Sequence, residues 1–79
     1  MNAETLQTIS VGPRDAGWAM RISGANDEQT FASGAAAEAA ARRLAQRRAA
    51  AGLPSRLIVR LRDGSVAGRF LIPPTLEAA

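Results

Sequence analysis

From Ser33 to Gly52 the chain reads SGAAAEAAARRLAQRRAAAG, and this segment constrains the fold more than any other. Alanine is the strongest helix former, and arginine, leucine, glutamate and glutamine lie close behind it, so propensity alone predicts a helix here. Ser33 can accept a hydrogen bond from an amide of the first turn, and Gly52 supplies a left-handed stop with Pro54 just beyond it. On a helical wheel Ala37, Ala40, Ala41, Leu44 and Ala51 share one face, with Arg47 and Arg48 on its borders. Glu38 precedes Arg42 by four residues on the opposite side, the favourable order for a surface pair. A face built from alanine is too shallow to form a core alone, so this helix must lie against something that brings larger side chains.

The flanking segments supply them. Leu6 to Val11 and Trp18 to Ser23 alternate with the period of a strand, placing Ile9 and Val11, then Trp18, Met20 and Ile22, on one side. Gly12 to Gly17 reads as the hairpin loop between them, and Gly24 to Gln29 as a polar connection leading through Thr30 and Phe31 to the helix. After the helix, Arg56–Arg62 and Ser65–Ile72 flank Asp63-Gly64, a dipeptide suited to a two-residue type I′ turn. Counting outward from that turn pairs Leu61 with Val66, Val59 with Gly68 and Leu57 with Phe70 on one face, with Trp18 and Phe70 filling the flanks. The expected fold is α+β: a ββαββ order with a four-stranded antiparallel sheet and one helix packed on one face. Residues 1–5 are expected to be a disordered N-terminus, 6–72 a single domain, and 73–79 a loose tail after Pro73-Pro74.

At 79 residues the chain buries roughly 60% of the surface its unfolded form exposes, so its core is thin. It contains neither cysteine nor histidine. Disulfides and thiolate metal sites are therefore ruled out as staples, which leaves oligomerisation as a source of added stability. No apolar run reaches the roughly 20 residues that span a bilayer, and MNAETLQ lacks a signal-peptide pattern. A cytoplasmic protein is the expectation.

Catalysis finds little support. The usual base near neutral pH is missing, so Ser10, Ser23, Ser33, Ser55 and Ser65 have no histidine to activate them. Asp63 and Asp15 belong to turns, Glu38 to its helix pair, and the adjacent Asp27 and Glu28 are too few for a calcium site. The glycines between Gly12 and Gly17 join two strands and open no helix, so they form no phosphate loop. No cofactor, metal or small-molecule substrate is expected, and the chain reads as non-enzymatic.

The surface is more informative. A single helix covers one side of such a sheet, and alternation places Arg21, Arg56, Arg60, Arg62 and Arg69 on the other, among Ile58, Leu71, Ala19, Ala67, Thr8 and Ser10. Three readings of that face stay open. The arginines keep an open sheet solvated and blunt its edges; or they take nucleic-acid phosphate through forked contacts; or the chain is a homodimer, in which either Ile58 and Leu71 form an apolar centre or the last strand pairs with its symmetry mate. Sheet-based readers of single strands stack bases on aromatic side chains, and all three aromatics here belong to the core side. Duplex backbone is thus the nucleic-acid form to consider. That every basic residue is arginine and that alanine is abundant is also what a GC-rich coding sequence would give, and with seven acids offsetting ten arginines the net charge is only +3.

The stretches VGPRDAGWAMRISG, FASGAAAEAAARRLA and LIVRLRDGS resemble a family of small bacterial domains of unknown function. Members share an opening hairpin with Arg-Asp-x-Gly-Trp, a Phe before a capped helix, and a closing Arg-Asp-Gly hairpin. Here these are Arg14, Asp15, Gly17, Trp18, Phe31, Arg62, Asp63 and Gly64. The resemblance covers about Ile9 to Val66 and implies a ββαββ fold without an assigned activity. Arg60 and Leu61 stand near positions that are often His and Gly in that family, so no role for such a histidine carries over. Trp18-x-x-Arg21, with Phe31 before the helix, is also similar to the small domains at the start of phage-type integrases. Those bind DNA with the sheet face and place three strands before the helix, whereas this chain has its clearest hairpin after it.

Overall fold

The computed structural model describes residues 6–75. It contains β1 (Gln7–Arg14), β2 (Gly17–Ile22), β3 (Glu28–Phe31), α1 (Gly34–Ala50), β4 (Ser55–Arg60) and β5 (Val66–Ile72). The strands form one sheet in the order β3-β2-β1-β4-β5, antiparallel throughout except where β4 runs parallel to β1. The α+β class with one helix is as expected, but the four antiparallel strands become five in a mixed sheet. One missed strand accounts for both differences. Glu28–Phe31 pairs antiparallel with β2, Trp18 facing Phe31 and Arg21 facing Glu28. With three strands before the helix the chain reverses direction once more, so it enters β4 running the same way as β1.

The opening hairpin is tighter than Gly12–Gly17. Strand pairing continues through Pro13 opposite Trp18 and Arg14 opposite Gly17, leaving Asp15 and Ala16 as the turn. Asp15 takes a left-handed φ of 48°, a conformation that aspartate tolerates better than most residues.

The closing hairpin differs in its loop. A type I′ turn needs positive φ at both central residues, and of Asp63 and Gly64 only Gly64 has it, at 89°. The Gly64 amide instead donates to the Leu61 carbonyl at 2.9 Å and the Leu61 amide to that of Ser65 at 2.8 Å. This is a three-residue loop, Arg62 to Gly64, and it is followed by a bulge. Leu57 still faces Phe70 and Val59 still faces Gly68, but Arg60 faces Val66 and Ala67 is the extra residue. Val66 thereby leaves the side expected for it, and Leu61 is exposed.

Asp63 fixes this loop by accepting from the Ser65 hydroxyl at 2.6 Å and the Ser65 amide at 2.9 Å. These bonds, the hydroxyl first, hold its carboxyl below the ordinary value of 3.8. Folding favours the charged form, so the contribution is present above the unfolded value and is lost as pH falls through the lowered folded value. An NMR titration should place the Asp63 midpoint below that of an ordinary aspartate, and Ser65→Ala should move it up. An unchanged midpoint in the variant would contradict this account.

The helix begins where expected, Ser33 Oγ accepting from the Ala36 amide at 3.1 Å. At its end the Gly52 amide donates to the Ala49 carbonyl and the Leu53 amide to that of Arg48, the double bond pattern that a left-handed Gly52 (φ 85°) permits. Its buried stripe is Ala37, Ala41, Ala45 and Ala49. Ala45 and Ala49 thus replace the expected Ala51, which is the exposed cap, while Ala40 and Leu44 pack at the margin. The alanines let the helix settle onto Ile9, Val11, Met20 and Leu57, the large buried side chains of the sheet. Trp18 tucks under the helix start: a Cβ at Gly34 would lie 3.1 Å from its ring.

Arg48 ties the helix end to β4. It donates from Nε to the fully buried Ser55 hydroxyl at 2.6 Å and from Nη2 to the Pro54 carbonyl at 2.8 Å. Beyond β5, the Thr75 amide donates to the Ala49 carbonyl at 2.9 Å. The expectations for residues 1–5 and 76–79 lie outside the described residues.

A candidate basic sheet face

Cross-strand partners share a side of the sheet, so the register assigns every strand residue to a face. The row Arg69, Ile58, Ser10, Arg21, Glu28 crosses all five strands on the side away from the helix. A second row, two residues along, runs Val66, Arg60, Gly12, Ala19, Thr30, and a third joins Leu71, Arg56 and Thr8. Arg21, Arg56, Arg60 and Arg69 are therefore brought together on the uncovered face, as alternation places them. Ile58 and Leu71 lie among them, Ile58 partly buried and Leu71 65% exposed.

Arg62 is the exception. The three-residue loop takes it out of the strand, and its guanidinium sits 5.4 Å from the centroid of the Trp18 ring, on the helix-bearing side. Its role is a cation–π cover for an aromatic at the sheet end. Phe70 is covered in a comparable way by Arg42, at 4.9 Å, and remains 42% exposed at the flank of the core.

Two residues of the face escaped the sequence reading. Arg14 ends β1 in alternation with Thr8, Ser10 and Gly12, a signal hidden because Gly-Pro looks like the start of a loop. Glu28 lies on β3 rather than in a connection, its carboxylate 3.1 Å from Arg14 Nε and 3.7 Å from Arg21 Nε. Such half-exposed pairs contribute little to stability, about 0–1 kcal/mol each, but they pin the edge strand and orient two guanidinium groups.

Between these side chains the face dips. Gly12 and Ala19 form the floor of a depression of about 230 Å³ walled by Arg14, Arg21, Arg60 and Glu28. The Arg60 stem crosses Gly12, where an added Cβ would stand 3.6 Å from the Arg60 Cβ. The other end of the face, around Arg56, Ile58, Arg69 and Leu71, carries no acid among the described residues.

Five arginines (Arg14, Arg21, Arg56, Arg60 and Arg69) against Glu28 leave +4 on this face, while the whole chain carries +3. Arg56, Arg60 and Arg69 have no carboxylate partner among the described residues. On the helix, Arg42 is paired with Glu38 at 2.9 Å and Arg48 is bonded to Ser55, which leaves Arg43 and Arg47 as its outward cations. Among the described residues there is no cluster of acids suited to a metal, and no helix is long and apolar enough to cross a membrane.

A family model described as uncharacterized proteins conserved in bacteria (DUF2188) matches residues 9–69. The chain belongs to this family. The DUF2188 match runs from Ile9 at the core of β1 to Arg69 on β5, so it spans the sheet, the helix and the basic face, and it assigns none of them an activity. Neither the curated proteins nor the solved structures provide a match.

Proposed function

We propose that this DUF2188 domain is a non-enzymatic binding module that lays its open sheet face on an anionic polymer, the backbone of duplex nucleic acid fitting best. The observation that carries the reading is the trio Arg56, Arg60 and Arg69, without a carboxylate partner among the described residues, on a surface the helix leaves open. An arginine fork matches two phosphate oxygens, and no internal acid has to be displaced to make that contact.

The shape of the face supports a duplex over a single strand. Trp18 and Phe31 lie on the helix side by register, and Phe70 is covered there by Arg42, so bases would find no stacking platform on the open side. What is offered is a row of cations on strands about 4.8 Å apart, with Ser10, Thr8 and Thr30 between them as hydrogen-bonding groups. Such contacts position a protein on the backbone and carry little sequence information.

Binding to random-sequence duplex DNA, followed by fluorescence anisotropy across a salt series, tests the reading. Three phosphate contacts give a slope of log K against log salt of about −3. Absence of binding at low ionic strength would end it.

A further inference from the structure

The two edges of the sheet are unlike. At one edge β3 has four residues, EQTF, and its Glu28 is engaged with Arg14 and Arg21. A short polar strand with an ion-paired acid is a well-protected edge. At the other edge β5 runs for seven residues, VAGRFLI, with one charge and with large apolar side chains exposed on both faces: Phe70 at 42% on the helix side and Leu71 at 65% on the open side. Its outer row of amides and carbonyls has no neighbouring strand among the described residues.

We propose that β5 pairs antiparallel with β5 of a second copy of the chain. The regular part of the strand decides the register. The bulge at Val66–Ala67 and the prolines after Ile72 bound the evenly paired stretch Gly68–Ile72, whose middle residue is Phe70. A two-fold axis through Phe70 sets Phe70 against its own copy, Gly68 against Ile72, and Arg69 against Leu71. Centring on Arg69 instead would place like charges directly opposite, which is unfavourable.

A second copy fits this edge because a two-fold contact needs only a self-complementary surface, and the stretch is its own partner in that register. The alternative dimer, with open faces stacked through Ile58 and Leu71, would press five arginines against five. The edge pairing avoids that. Its axis is perpendicular to the sheet, so both helices fall on one side and both basic faces on the other, as one continuous surface. The pairing does not rest on the nucleic-acid reading and is tested without nucleic acid.

Charge substitutions at Leu71 read out the register. In the proposed pairing Leu71→Lys meets Arg69 of the other copy, whereas Leu71→Glu meets it as an opposite charge. Sedimentation at tens of micromolar should show a dimer for the wild type. Leu71→Lys should weaken association by about tenfold, a cost of about 1.4 kcal/mol, and Leu71→Glu should match or exceed the wild type. Both variants leave the exposed side chain outside the core, so circular dichroism should show both folded. A wild-type monomer at these concentrations would overturn the proposal, and so would equal weakening by lysine and glutamate.

Discussion

Leu57→Ala should lower the free energy of unfolding by about 2–5 kcal/mol, the range for emptying a buried leucine site. The reason is its position. Leu57 is fully buried, faces Ile9 across the parallel pairing and Phe70 across the last hairpin, and lies beneath the helix. The alanines above it are already in contact with the sheet and have no longer side chain to swing into the space. For a chain of 79 residues the total stability is about 4–12 kcal/mol, so one substitution removes a large share. Urea unfolding with a common slope measures the loss, and Ile58→Ala on the opposite face is the control. Ile58 is only partly buried, and its removal should cost clearly less. If the two variants lost equal stability, the assignment of faces would be wrong.

Replacing Arg56, Arg60 and Arg69 together with glutamine should abolish most duplex binding at moderate salt while leaving the fold intact. Each is exposed, and none has a carboxylate partner among the described residues. Each lost phosphate contact should reduce the salt slope by about 1, so the triple variant should show little salt dependence of its own. Arg43→Gln with Arg47→Gln is the informative comparison, since it removes two positive charges from the helix and so lowers the net charge without touching the sheet. A general attraction to net charge would be weakened by both sets roughly in proportion. Docking by the sheet face is weakened steeply by the first set and only slightly by the second.

Much of this architecture is legible in the sequence because its signals are local. The helix has a serine at one end, a glycine at the other and alanine between, and the caps form as those residues dictate. Ile9, Val11, Met20 and Leu57 reach the core by simple alternation. Glu28–Phe31 was not legible as a strand, because an exposed edge strand buries one side chain at most and so shows no alternation; only its pairing with β2 makes it one. The parallel alignment of β1 and β4 depends on that strand and could not be deduced without it. The loop at Asp63 depends on which residues adopt left-handed backbone, a choice that the dipeptide Asp-Gly leaves open between two- and three-residue turns. Arg21, Arg56, Arg60 and Arg69 were placed correctly since a strand's period survives any strand order. Arg62 was not, since a loop residue obeys no such period.

Amide chemical shifts recorded during titration with a short random duplex test the central proposal most directly. The account predicts saturable shifts along β1, β4 and β5, strongest around Arg56, Arg60 and Arg69, with the helix segment around Arg43 and Arg47 almost unmoved. Shifts confined to the helix, or none that saturate at low salt, would contradict it.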